Sequence, residues 1–200
     1  VLILRKIAVT GGLASGKSTV CRFLKECGGY VVDADAVVHR LLSPETSVGQ
    51  QVISLLGLTI VVGNRIDRKK IAQLVFSNRE KLHGLEAILH PAVKEEIETE
   101  YNQVKKNSSY SFFVAEIPLL YEAKMEKFFD TVIAVVSDPA LAKNRFSGTD
   151  FEERIARQET TEAKAIKADF TLVNNGDVAA LKQAVFKLAS QLTKGVTPSL

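Results

Sequence analysis

Cysteine is scarce in this 200-residue chain, and the little there is excludes two architectures. Cys21 and Cys27 lie six residues apart, a spacing that matches neither a C-x-x-C redox pair nor a zinc site. Two thiols cannot staple a domain of this size, so no disulfide scaffold is expected and a reduced, cytoplasmic setting is. Charge of one sign is also lacking. The 26 Lys and Arg residues face 23 Asp and Glu, a net charge of +3 that is too balanced to argue for nucleic acid and is met by small anionic substrates. Apolar runs are short. The opening V-L-I-L-R-K-I-A-V is far below a membrane span, has no basic leader and reads as a first buried strand, so no membrane partner is expected. Internal repeats and low-complexity segments are absent, and no pattern specifies an oligomeric state. What remains is ordinary globular material, 46% hydrophobic, sufficient for one α/β core with a small appendage.

The informative stretch is Ala8 to Thr19, A-V-T-G-G-L-A-S-G-K-S-T. Gly11, four residues, then Gly16-Lys17-Ser18 is the phosphate-cradling pattern G-x-x-x-x-G-K-[ST], with Ile7-Ala8-Val9 as the strand it requires. Val20, Phe23, Leu24 and Cys27 follow at i, i+3, i+4 and i+7, so the loop opens an amphipathic helix. Glycines let consecutive N–H groups turn inward toward a β-phosphate, where a Cβ would obstruct. Lys17 supplies a point charge for the β- and γ-phosphates, and the Ser18 hydroxyl is the expected Mg²⁺ ligand. Gly11, Gly12, Leu13, Ala14, Ser15, Gly16, Lys17, Ser18 and Thr19 are therefore the expected contacts to ATP. The pattern specifies a nucleoside triphosphate and is silent on what receives the phosphate.

Further along, Tyr30-Val31-Val32 reads as a strand ending at Asp33-Ala34-Asp35. Strand C-termini line the ligand crevice of open parallel sheets, so Asp33 is the working carboxylate and Asp35 the cap of a helix from Ala36 to Leu42. His39 falls on that helix, either structural or a substrate contact. From Ser43 to about Asn107 the pattern is mainly helical, an insertion between strands, with a turn at Gly63-Asn64 and with Pro91 kinking or starting a helix. His90 either fixes that bend or faces a nucleotide-like substrate.

Phe112 to Ala115 is a continuous apolar run, hence a central buried strand, which places Glu116 at its exit. Glu116 either tunes the Mg²⁺ shell or orients a basic residue, and Glu122 reads as a helix start. Thr131 to Val136 is the next strand, and Ser137-Asp138-Pro139 starts a helix carrying Lys143 and Arg145. Ser147 to Asp150 forms a polar tip, with Thr149 and Glu152 spaced as a capping box for a helix that presents Arg154 and Arg157. Two short helices with Arg on both make either a lid or a solvated charged hairpin. Ala168 to Val173 is the last strand, Asn174 to Asp177 a turn, Val178 to Leu192 an amphipathic helix, and Gly195 to Leu200 a frayed tail.

These residues resemble the dephospho-CoA kinase family over almost the whole chain. The resemblance rests on T-G-G-L-A-S-G-K-S-T at Thr10 to Thr19, D-A-D followed by His39, Ile66-Asp67-Arg68 to Val75-Phe76, and L-E-A-I-L-H-P at Leu85 to Pro91. It extends to P-L-L-Y-E at Pro118 to Glu122, R-I-A-R-Q at Arg154 to Gln158 and A-D-F-T-L-V-N-N-G at Ala168 to Gly176. The loop alone is generic, whereas these motifs in this order are specific. The resemblance implies an α/β fold, a P-loop kinase core with a parallel sheet flanked by helices, a helical substrate-binding insertion and a small helical lid. By residue number these are a core of about 1–43, 108–140 and 168–200, an insertion of about 44–107 and a lid of about 141–167.

It further implies ATP and dephospho-CoA as substrates, with Asp33 as base on the ribose 3′-hydroxyl, Arg154 and Arg145 as lid contacts, and Asn174 beside the adenine. His39, His90 and Glu116 would lie on the dephospho-CoA side. The chain departs from the family pattern at Ala14, which replaces a glycine, and at Leu141, which replaces a lid Arg and leaves Arg145 as the match. Lys143 carries charge there but cannot copy a bidentate guanidinium. The expected chemistry is in-line transfer of the ATP γ-phosphoryl group to a secondary alcohol. Adenylate- or shikimate-type acceptors are the nearest alternative. A nucleotide-driven regulatory binder is the more distant one, since no N-K-x-D guanine-reading motif is present.

Overall fold

Residues 4–76, 78–107, 109–156 and 158–194 are described by the computed structural model. The expected strand start at Val1 to Ile3, Ser108 of the polar connection, Arg157 and the tail from Gly195 lie outside the described residues. In chain order the first elements are β1 (Arg5–Gly11), α1 (Lys17–Glu26), β2 (Gly29–Asp33), α2 (Ala34–Leu41), α3 (Ser47–Leu56), β3 (Val61–Val62), β4 (Arg65–Ile66), α4 (Arg68–Phe76) and α5 (Arg79–Val104). They are followed by β5 (Phe112–Glu116), β6 (Thr131–Val136), α6 (Pro139–Arg145), α7 (Phe151–Ile155), α8 (Thr161–Lys167), β7 (Phe170–Val173) and α9 (Val178–Lys194). Among the described residues no helix is long and apolar enough to cross a membrane.

Residues Val1–Asp33 and Glu100–Leu200 form one compact unit, built on a five-stranded parallel sheet in the order β2-β5-β1-β6-β7. The continuous apolar runs have their physical reason here. Every residue of β5 is buried, as are the five from Ile7 to Gly11 and five of the six in β6, so none alternates toward water. Val20, Phe23 and Leu24 of α1 and Leu181, Val185, Leu188 and Leu192 of α9 pack with Ile7, Val9, Val114, Ile133 and Val135 into one core. Each fully buried side chain of this size contributes about 1.5–3 kcal/mol, and truncating Ile133 to Ala would cost about 2–5 kcal/mol. The spacing of threes and fours read along α9 is what lets it lay a single face on this core.

Register decides what meets at the sheet's C-terminal edge. β2 and β5 pair so that Asp33 stands opposite Glu116, β1 and β5 so that Val9 stands opposite Glu116, and β1 and β6 so that Gly11 stands opposite Val135. The phosphate loop and two carboxylates thus leave the sheet side by side, because β5 inserts between the strands that precede and follow α1.

Ala34–Thr99 forms the second unit, with its own core of Leu42, Val52, Leu56, Ile60, Ile66, Ile71, Val75 and Leu85. It includes α2, which the sequence reading keeps with the sheet, and its boundary falls inside α5. Helix α2 starts at Ala34 immediately after the strand, so Asp35 stands within the first turn and is not the cap; there its carboxylate still faces the favourable end of the helix dipole. A hairpin of β3 and β4, turned at Gly63-Asn64 with Gly63 at a φ of 59°, interrupts the expected helices. Two-residue strands are too short to leave a periodic signal. Of the two alternatives at Pro91, a new helix start is excluded, because α5 runs through the proline from Arg79 to Val104.

Two further local expectations fail. Asp138 caps α6 as its position suggests, its carboxylate accepting the Ala140 amide at 2.8 Å. No capping box forms on α7, however: no side chain accepts from its first turn, and Glu152 is drawn instead to Lys143 at 2.7 Å. Glu122 begins no helix either. Its carboxylate accepts the Glu159 amide at 2.8 Å, and the residues around it form turns.

Candidate active site

The phosphate loop is shaped by two glycines that nothing else could replace. A Cβ on Gly11 would stand 2.1 Å from the Val135 carbonyl oxygen, so the end of β1 lies too close to its parallel neighbour β6 to admit a side chain. Gly16 sits at a φ of 100°, and a Cβ there would stand 2.3 Å from the Asn174 amide nitrogen. Directly after it α1 begins, and its first turn holds no Asp or Glu. The positive end of that helix therefore favours an anion at the loop. Lys17 is 8% exposed, and its ammonium donates to the Gly12 carbonyl at 2.7 Å and to the Gly11 carbonyl at 3.4 Å, holding the charge over its own loop. The Ser15 hydroxyl is buried without a hydrogen-bond partner among the described residues, so the loop by itself leaves a donor unmet. Ala14 occupies a free position of the sequence pattern, yet its φ is 54°, a left-handed conformation that costs an alanine about 1–2 kcal/mol.

Next to the loop stand the two carboxylates. Glu116 is buried, and its Oε1 accepts the Ser18 hydroxyl at 2.8 Å; Asp33, its strand partner, is exposed at the end of β2. Cys21, one turn along α1 from Lys17 and Ser18, is buried. Burial first, and then the Glu116 charge, push its thiol well above the usual cysteine pKa, with Lys17 pulling the other way. No motif singles out Cys21, although its i+3 and i+4 spacing from Ser18 and Lys17 puts it on their helix face.

Asn174 arrives from the end of β7 and is 8% exposed. Its side-chain amide donates to the Ser15 carbonyl at 2.8 Å, and its own backbone carbonyl accepts from Arg145 at 3.0 Å. The sheet unit therefore brings together Lys17, Ser18, Asp33, Glu116, Asn174 and Arg145. Arg154 is not in that group. It is exposed, pairs with Asp150 at 2.7 Å and lies 5.7 Å from the Phe146 ring centre. His39, exposed on α2, and His90, half-buried on α5, belong to the unit Ala34–Thr99.

Two residues that no motif singles out border the loop. The Thr161 hydroxyl lies 2.6 Å from where a Cβ on Gly12 would stand. Lys164 is fully buried, donating to the Pro118 carbonyl at 2.7 Å and pairing with Glu122 at 3.0 Å. A lysine in a helix reads from sequence as solvated, so no local signal marks it.

A parallel sheet whose first strand feeds a glycine-rich loop into a helix, with Lys, Ser and two carboxylates at adjoining strand ends, defines a P-loop kinase. The dephospho-CoA kinase family model matches residues 5–180, and the chain belongs to that family. The dephospho-CoA kinase of Protochlamydia amoebophila is 48% identical over 198 residues, covering 96% of this chain and 98% of that relative. Among solved structures, the protein TT1252 from Thermus thermophilus is 32% identical with a TM-score of 0.79, covering 96% of this chain and 99% of that one. A dephospho-CoA kinase from Campylobacter jejuni is 27% identical with a TM-score of 0.72, covering 96% of this chain and 98% of that one.

Proposed function

We propose that this chain transfers the γ-phosphoryl group of ATP to the ribose 3′-hydroxyl of dephospho-CoA, giving coenzyme A and ADP. The observation that carries the reading is the register of β2 and β5, which sets Asp33 beside Glu116 while Glu116 holds Ser18 next to Lys17. A base for the acceptor hydroxyl and the machinery for the phosphates then adjoin one another, as in-line transfer requires.

In this reading the loop amides and Lys17 bind the β- and γ-phosphates, and the ammonium leaves the loop carbonyls for the incoming negative charge. Asp33 accepts the 3′-hydroxyl proton, raising the nucleophilicity of an alcohol that is otherwise a poor attacker. Arg145 and Arg154 neutralise charge as residues 141–167 close as a lid over the nucleotide, excluding water that would hydrolyse ATP. Asn174, whose amide braces the loop at Ser15, lies on the nucleotide side. The unit Ala34–Thr99, with His39 and His90, serves the acceptor.

The residues present fit Mg²⁺. The donors are all oxygen, the Ser18 hydroxyl with the Glu116 carboxylate that orients it. Because the Ser18 hydroxyl donates its hydrogen bond to Glu116, its lone pairs are left for a hard cation. When bound, it supplies charge neutralisation between the β- and γ-phosphates. The free thiols of Cys21 and Cys27 suit a reducing cytoplasm.

The test is ADP release from ATP and Mg²⁺ with dephospho-CoA, AMP and shikimate offered separately to the parent protein and to Asp33→Asn. We expect turnover with dephospho-CoA alone, and an Asp33→Asn kcat lower by about 10²–10⁴-fold with ATP binding retained by calorimetry. Preference for AMP or shikimate would overturn the substrate, and parent-like kcat in Asp33→Asn would overturn the base.

A further inference from the structure

Lys164 is 0% exposed, and its ammonium is committed to the loop that follows β5. It donates to the Pro118 carbonyl at 2.7 Å and pairs with Glu122 Oε1 at 3.0 Å. Each of those acceptors has a second donor. The Thr10 hydroxyl, on the strand that feeds the phosphate loop, reaches the Pro118 carbonyl at 3.3 Å, and the Glu159 amide reaches Glu122 Oε1 at 2.8 Å. Thr161, one turn before Lys164 on the same helix face, sets its hydroxyl against Gly12. Residues 159–164 are thereby joined to β1 and to the phosphate loop through Pro118 and Glu122.

The segment before them is bonded differently. Lys143 pairs with Glu152 at 2.7 Å, Arg154 with Asp150 at 2.7 Å, and the Phe146 and Phe151 ring centres lie 5.4 Å apart, all within residues 143–154. The bond from Arg145 to the Asn174 carbonyl, 3.0 Å, ties its beginning to the sheet. Hydrogen bonds at Arg145 and at Glu159 thus fasten the two ends of this segment.

Stability does not explain the buried lysine. Removing an ammonium from water costs several kcal/mol, and the attraction to a carboxylate offsets this at best, so an apolar pair of similar volume would hold the fold as well. What an ion pair with directed hydrogen bonds adds is register. An apolar contact tolerates sliding, whereas the bonds of Lys164 to Pro118 and Glu122 form at one placement of α8 only.

We propose that Lys164 is a positioning residue for phosphoryl transfer: fixed to Pro118 and Glu122, it holds the start of α8 against Gly12, so that the segment carrying Arg145 and Arg154 closes from a base set on the phosphate loop. The inference rests on the reading of residues 141–167 as a lid. A small error in that base displaces the closing guanidinium groups, and a 1 Å misplacement of charged groups costs about a hundredfold in rate.

The test is the double variant Lys164→Met/Glu122→Gln, with Glu122→Gln alone as its companion. The pair of changes keeps volume, keeps an acceptor for the Glu159 amide and leaves no buried charge unpaired. For the double variant we expect a thermal midpoint close to the parent's, KM values within about threefold, kcat lower by about tenfold or more, and a larger share of ATP lost to water. Glu122→Gln leaves the ammonium on Pro118 and should lower kcat by about threefold at unchanged KM. A folded double variant with parent-like kcat would overturn the proposal, as would equal rises in KM without loss of kcat. Should the double variant not fold, Glu122→Gln decides alone, parent-like kcat overturning the proposal and a kcat loss at unchanged KM supporting it. The parent measured alongside keeps the two readings apart: no acceptor-dependent ADP release from it sinks the kinase assignment, whereas a working parent matched by the variants sinks only the role of Lys164.

Discussion

The Ser18 hydroxyl donates to the Glu116 carboxylate at 2.8 Å, joining the first turn of α1 to the last residue of β5. That bond fixes which way the hydroxyl faces, and its charge-assisted acceptor makes it stronger than a neutral contact.

Glu116→Gln keeps the shape and an acceptor oxygen but removes the charge. We expect activity to fall by about 10–100-fold and the Mg²⁺ concentration for half-maximal rate to rise, as for groups that orient a metal ligand. A Mg²⁺ titration that superimposes on the parent's would show that Glu116 does not act on the metal.

Arg145 and Arg154 should fail in different ways. Arg145 is already tied to Asn174, which braces the phosphate loop at Ser15, so Arg145→Ala should raise the KM for ATP as well as lower kcat. On the proposed lid reading Arg154 would meet the nucleotide only on closure, so Arg154→Ala should lower kcat by about 10²–10³-fold with little change in KM. Steady-state kinetics on both variants decides, and an Arg154→Ala effect confined to KM would contradict the assignment.

Ala14→Gly should stabilise the protein. Relief of a left-handed alanine, about 1–2 kcal/mol, exceeds the roughly 0.4–1 kcal/mol of extra unfolded-state freedom that glycine brings. Urea midpoints measure the difference, and a lower midpoint for the glycine variant would show that Ala14 carries no strain.

Tyr121 is 8% exposed, and its hydroxyl has no partner among the described residues. Burial, and then the charges of Asp169, Glu126 and Glu159, push its pKa up to about 12. The fold therefore favours the neutral ring. Its contribution is whole below the unfolded value of about 10 and is lost as pH rises from there through the folded value. Tyr121→Phe should match or exceed the parent's stability at pH 7, by up to about 1 kcal/mol, and lose less of it above pH 10. Denaturant titrations at both pH values check this, and a steeper alkaline loss in the Phe variant would refute it.

The amino-acid sequence by itself determined the phosphate loop, the buried strands and the face that α9 lays on the core. Each is a constraint within a few residues: the glycine spacing before Lys17-Ser18, the unbroken apolar runs of β5 and β6, the threes and fours from Leu181 to Leu192, although Val178, expected on the same face, is exposed. Helix ends were less legible, because a cap is whatever group wins the local competition. Asp35 lost its place to the earlier start of α2, and Glu152 was drawn from the capping box by Lys143. Only the tertiary structure decided which partners meet across the chain: Ser18 with Glu116 at a separation of 98 residues, Asn174 with Ser15 at 159, and Lys164 with Pro118 at 46. Those contacts follow from the order and register in which strands assemble, and a single serine, asparagine or lysine carries no periodic mark of the partner that strand pairing will bring to it.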